Sequence, residues 1–180
     1  MAEEPNGPLV WIDLEMTGLD PKTCTILEIA SIVTDADLNV IAEGPDLVIH
    51  LSDTALATMS PWCIEHHGAS GLTQASREST VSLRGAEEQT LAFLREHTSA
   101  GQSPLCGNSI GLDARFLRAH MPELYGFLAP VLVDVTTIKE LRKRWYPKAE
   151  ALTKAGGHRA LADIKESIEE LALYRRTIFR

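Results

Sequence analysis

The sequence predicts a mixed α/β domain, a five-stranded sheet that opens with three antiparallel strands and is flanked by helices. Two observations carry this expectation. Three strand-like apolar runs follow one another within the first fifty residues with only short polar breaks between them, as in a meander. Beyond residue 100, short apolar runs alternate with helical stretches, the signature of parallel crossovers.

In order, the strands are expected at Leu9 to Leu14, Thr25 to Thr34 and Asn39 to His50. Gly18-Leu-Asp-Pro21 and Asp35-Ala-Asp37 supply turn formers between them. After His50 the pattern becomes helical. Ser52-Asp-Thr54 is a start signal, Pro61-Trp-Cys-Ile-Glu65 a further segment, and an amphipathic run from Gly85 to Glu96 turns Leu91, Phe93 and Leu94 inward. Pro104 to Cys106 and Val131 to Val133 read as short strands, followed by helices at Ala114 to His120 and Val135 to Trp145. The last helix, Arg159 to Tyr174, sets Leu161, Ile164, Ile168 and Leu171 on one face. No repeat or linker interrupts the chain, so residues 1–8 are expected to form a flexible lead and residues 9–180 a single domain.

Composition narrows the function. With 180 residues, 44% of them hydrophobic, the chain can bury a core without staples. Its 25 acidic and 17 basic side chains leave a formal charge of -8. That is the wrong sign for gripping long nucleic acid through many phosphate contacts, so any nucleic-acid substrate should be short. Five basic residues between Lys139 and Lys148 read either as a local positive patch or as a solvated helix face. No run approaches the roughly 20 apolar residues that span a bilayer, and Met1 to Pro8 has neither the basic nor the apolar region of a secretory signal. Cys24, Cys63 and Cys106 match no zinc spacing and cannot all pair within one chain. A cytoplasmic protein without membrane association is expected.

The chemistry concentrates in three places. In Val10-Trp-Ile-Asp-Leu-Glu15, Asp13 and Glu15 are two apart, so a strand points both to one face and Val10, Ile12 and Leu14 to the other. Neighbouring anions repel unless cations compensate, and hard divalent ions are the natural partner; an exposed strand edge is the alternative. Asp113 follows the Gly-rich turn Cys106-Gly-Asn-Ser-Ile-Gly-Leu112 at a predicted helix start, where it is either a ligand or an N-cap. In Gly156-Gly-His-Arg-Ala-Leu-Ala-Asp163, two glycines give His158 freedom over Asp163, one and a half turns later in an apolar helix. Imidazole, with an unperturbed pKa near 6.5, suits proton removal from water at neutral pH. Together these are four carboxylates for two Mg²⁺ or Mn²⁺ ions and one base, as in-line phosphodiester hydrolysis requires. No Gly-rich phosphate loop with lysine points to nucleotide triphosphate chemistry.

These motifs, Val10 to Leu19, Gly107 to Asp113 and His158 to Asp163, resemble the three exonuclease motifs of the oligoribonuclease family. The similarity extends to Leu38–Pro45, Glu65–Leu72 and Lys139–Pro147. The resemblance implies a ribonuclease H-like fold, a homodimer, two divalent metals and removal of nucleotides from the 3′ end of RNA two to a few residues long. By position, Asp13, Glu15, Asp113 and Asp163 would hold metal and His158 would be the base. Leu19 would wedge between two bases, Met16, Trp62 and His67 would line the substrate site, and Asn108, Ser109, Thr136 and Thr137 would lie near a 5′ phosphate. Where the family carries His-Tyr-Arg before the strand leading to Asp134, this chain has Ala129-Pro130-Val131. Valine cannot make the bidentate phosphate contact of a guanidinium. The expectation is therefore qualified: either another cation substitutes or length selection is relaxed, toward a less length-selective or DNA-directed exonuclease.

Overall fold

A computed structural model describes residues 7–151 and 159–179. Residues 1–6 of the expected lead over 1–8, and His158 with its two preceding glycines, lie outside the described residues. Five strands form one sheet in the order β3-β2-β1-β4-β5. β1 (Leu9–Met16) and β2 (Ile26–Thr34) pair antiparallel from Leu9↔Thr34 to Met16↔Ile26, and β2 pairs antiparallel with β3 (Val40–Val48). β4 (Leu105–Gly107) runs parallel to β1, and β5 (Leu132–Asp134) parallel to β4.

The alternation of β1 divides the core into two layers. Val10, Ile12 and Leu14 pack with Ile29, Val33, Leu91, Leu94, Phe116 and Leu117 on one side. These partners come from β2 and from α4 (Leu83–His97) and α5 (Gly111–His120). Trp11 lies on the other side with Ala30, Ile32, Ile164, Ile168 and Tyr174, the last three from α8 (Ala160–Thr177). Its buried indole N–H donates to Thr34 Oγ1 at 3.0 Å, which lets a polar atom stay in the interior. β2 is buried along its whole length because both faces are covered.

The remaining helices are α1 (Asp53–Leu56), α2 (Pro61–Ala69), α3 (Leu72–Glu78), α6 (Pro122–Phe127) and α7 (Val135–Trp145). α3 and α6 were not expected from the sequence. Both are short, and each follows another helix closely, α3 after Gly71 at φ 77° and α6 directly after α5. α4 begins two residues before the expected Gly85 because Ser82 caps it, its hydroxyl accepting from the Gly85 N–H. α5 begins at Gly111 rather than Ala114, which places Asp113 inside its first turn. No helix among the described residues is long and apolar enough to cross a membrane.

Candidate active site

Asp13 and Glu15 follow Trp11 on the face of β1 that looks toward α8, and the first turn of α8 brings Asp163 to them. One carboxylate oxygen from each of the three lies within 4.8 Å of the others. Asp113 joins from the opposite layer. Its Oδ1 accepts the Leu14 N–H at 3.1 Å, while Ile110 occupies the N-cap of α5 without a side-chain cap bond. The capping alternative for Asp113 is thus not realised: its side chain is bonded to β1. The preceding turn leaves no room for a side chain at Gly107, where a Cβ would meet Ile110 Cδ1 at 2.8 Å and the Ile12 carbonyl at 3.3 Å.

Burial, then the negative charges of Asp113, Glu15, Asp163 and Glu28, hold Asp13 well above the usual carboxylate range. Glu15 is pushed up to about 8, by burial first and then by Asp163, Glu28 and Asp113, with Arg159 opposing. Burial also raises Asp113, against hydrogen bonds from its own N–H and that of Leu14. Carboxylates so placed destabilise one another as anions. Three carboxylate oxygens within reach of a common point, Glu15 buried and Asp13 and Asp163 partly buried, fit a hard divalent cation, which takes carboxylate ligands and reverses that repulsion.

Beside Glu15 opens a groove of about 450 Å³ whose walls include Met16, Leu19, Trp62 and His67, together with Gly18, Ser60 and Cys63. Leu19 stands 74% exposed at its rim. Trp62 is half exposed and stacks on His66 with ring centroids 3.9 Å apart. His67 is buried, its Nε2 2.9 Å from the Met16 carbonyl oxygen and its Nδ1 3.8 Å from the Glu15 carboxylate. Four residues expected at the substrate site therefore share one wall system next to the acidic cluster. A wider cleft of about 650 Å³ near Asp53 and Arg77 contains none of the expected site residues.

The residues expected near a 5′ phosphate form a separate network. Ser109, at φ 53°, donates its N–H to Asp134 Oδ1 and to Thr136 Oγ1, both at 2.9 Å. Thr136 donates its hydroxyl to Asn108 Oδ1, and the Asn108 amide donates to Ser167 Oγ at 2.8 Å. Thr137 is exposed beside them. Ala129 and Val131 run along the sheet edge, the Ala129 N–H bonded to Ser103 and the Val131 carbonyl to Leu105. As for a substitute cation, Lys139 pairs with Glu170 at 3.0 Å, Lys143 and Arg144 both pair with Glu140, and buried Arg142 donates to the Ala149 and Glu150 carbonyls. Four of the five basic residues of that segment thus have partners within the chain.

Two residues beside the cluster escaped the sequence analysis. Glu28 is fully buried on β2, in register with Glu15, and binds Arg159 at the head of α8. The available signal was a lone charge inside the apolar run Ile26-Leu-Glu-Ile-Ala30.

The exonuclease family RNase_T matches residues 10–171, nearly the whole sheet and its helices, so the class of protein is exonuclease. The chain is 55% identical over 173 residues to an oligoribonuclease of Marinobacter nauticus, with 96% of each chain covered. It is 55% identical over 180 residues to a probable oligoribonuclease of Dictyostelium discoideum, covering 100% of this chain and 95% of that one. A mitochondrial oligoribonuclease of Mus musculus is 52% identical over 96% of this chain and 73% of its own. The chain belongs to the oligoribonuclease family. Among solved structures, one of exonuclease I superposes with a TM-score of 0.72 at 18% identity, over 96% of this chain and 41% of that larger one. Escherichia coli exonuclease I bound to a dA16 oligonucleotide gives 0.71 at 16%, over 96% and 41%. At these identities the likeness concerns fold alone; together with the family match it gives a ribonuclease H-like fold, a mixed five-stranded sheet flanked by helices.

Proposed function

We propose that this chain, a 3′→5′ exonuclease of short oligonucleotides, hydrolyses dinucleotides, RNA foremost, with two Mg²⁺ or Mn²⁺ ions held by Asp13, Glu15, Asp113 and Asp163 and with His158 as base. The observation that carries this reading is the convergence of three buried or partly buried carboxylates within 4.8 Å beside a groove with an exposed aromatic wall. Bound there, divalent ions supply Lewis acidity, lowering the pKa of the attacking water and stabilising the leaving 3′ oxygen. Asp13, Glu15 and Asp163 would hold the ions on one face of the sheet, with Asp113, whose Oδ1 accepts the Leu14 N–H, as the fourth carboxylate ligand. Trp62 and Leu19 offer flat and wedge-shaped apolar surface to the two bases, while His67 fixes the Met16 carbonyl behind them. His158 accepts the proton of the attacking water. Asn108, Ser109, Thr136 and Thr137 offer short donors to the 5′ phosphate. The reading includes a homodimer, as the family resemblance implies, and a cytoplasmic location, which suits the three scattered cysteines.

The test is a length series of two to seven nucleotides, RNA and DNA, with and without a 5′ phosphate, measured as initial rates in Mn²⁺. A sharp maximum at 5′-phosphorylated diribonucleotides is expected. A second reading, a less length-selective or DNA-directed exonuclease, is favoured by Ala129-Pro130-Val131 and by the internal pairing of four neighbouring cations. Rates independent of length, or higher on DNA, would select it. Stacking of one base on an aromatic ring is worth ~1–3 kcal/mol. Trp62→Ala should therefore raise the dinucleotide KM by about 5- to 150-fold, with kcat changed far less. An unchanged KM would remove Trp62 from the substrate site.

A further inference from the structure

We propose that Glu28 is a positioning residue for the catalytic cluster, clamping the head of α8 so that Asp163 meets Asp13 and Glu15 at metal-binding distance. It sits on β2 with no exposed surface, opposite Glu15 in the β1–β2 register. Its Oε1 accepts from both Nε and Nη2 of Arg159, at 2.8 and 2.6 Å, and its Oε2 accepts the Ala160 N–H at 3.0 Å. Arg159 is the N-cap residue of α8 and makes no side-chain cap bond of its own. The cap is supplied instead by a carboxylate from another strand, placed where the helix dipole favours negative charge. The Asp163 N–H in turn donates to the Arg159 carbonyl at 3.0 Å, so the clamp and the ligand share one helical turn.

A fifth carboxylate beside Asp13, Glu15, Asp113 and Asp163 makes the metal-free cluster more repulsive, which is a poor reason for its presence. Its return is geometric. Two charge-assisted hydrogen bonds from the guanidinium to Oε1, with the Ala160 N–H on Oε2, tie both carboxylate oxygens to the head of α8 and fix it in angle as well as distance. The inference rests on the metal-site reading above. It assigns to Glu28 the role of an outer partner that aims a ligand-bearing element without touching the ion, a class of change that typically weakens metal affinity or activity ~10- to 100-fold.

The experiment is calorimetric titration of Mn²⁺ into wild type, Glu28→Gln, Glu28→Asp and Arg159→Gln, with melting curves and dinucleotide kinetics on each. Wild type that binds no Mn²⁺ would sink the metal-site reading itself. Given wild-type binding, Glu28→Gln should weaken Mn²⁺ affinity about 10- to 100-fold and lower kcat at limiting Mn²⁺ while leaving KM for dinucleotide unchanged. Glu28→Asp, which keeps the charge, should recover part of the affinity. Arg159 has a side chain 40% exposed, so Arg159→Gln tests the same clamp from its tolerant end and should act in the same direction. Unchanged Mn²⁺ affinity in Glu28→Gln, or in Arg159→Gln should the former not fold, would overturn the proposal even if melting temperature falls.

Discussion

Asp13→Asn is expected to lower dinucleotide turnover by at least ~10³-fold at a Mn²⁺ concentration that saturates wild type, and at the same time to stabilise the metal-free protein at pH 8. The first effect should exceed the ~10- to 100-fold typical of losing an outer partner, because a carboxylate oxygen of the cluster itself is removed. The second follows from repulsion. In metal-free protein, Glu15 is pushed up to about 8, from an ordinary 4.5, by burial and by the neighbouring anions, and Asp13 is raised too. Between those limits the folded state holds protons that the unfolded chain has released. Stability is therefore fully present below the ordinary carboxylate range and declines as pH rises toward 8. Melting curves in EDTA should fall across this window, and less steeply in Asp13→Asn, which has one anion fewer. Mn²⁺ should reverse the trend, since it binds the deprotonated cluster of the folded state and stabilises it by mass action. A flat profile in EDTA, or full turnover in the variant, would mean that the three carboxylates are not the metal centre.

The strands and the acidic motif were legible because they rest on period-two alternation. Trp11, Asp13 and Glu15 fall on one face and Val10, Ile12 and Leu14 on the other, as their spacing requires. Asp113 was ambiguous in sequence for a physical reason. A helix-starting aspartate and a ligand-bearing aspartate look alike until the helix start is fixed, and here α5 begins at Gly111, without any side-chain cap to mark it. Glu28 was missed because its role depends on pairing across 131 positions with Arg159, a relation that no local pattern encodes. The same applies to the basic segment around Lys139. Its composition left a positive patch and a solvated helix face both open, and helical spacing hands Lys143 and Arg144 to Glu140, three and four positions away, while tertiary packing hands Lys139 to Glu170.

His158→Ala is expected to lower turnover by ~10²- to 10⁴-fold at neutral pH, the range for loss of a general base, with Mn²⁺ affinity unchanged. Asp13, Glu15 and Asp163 are the oxygen donors of the cluster, so a cation that draws on them leaves them poor proton acceptors. Asp113 accepts the Leu14 N–H, and His67 is buried with Nε2 against the Met16 carbonyl, which commits its imidazole to the wall of the groove. His158, five positions before Asp163 in sequence, carries an imidazole, whose unperturbed pKa near 6.5 is matched to accepting a proton from water at neutral pH. Wild-type kcat should therefore rise with pH through a limb that vanishes in His158→Ala, leaving a flatter, lower profile. Retained turnover with intact metal binding would exclude His158 from the mechanism. A limb that survives in His158→Ala but disappears in His67→Gln would move the base to the histidine already seated beside Glu15, and with it the side from which water attacks.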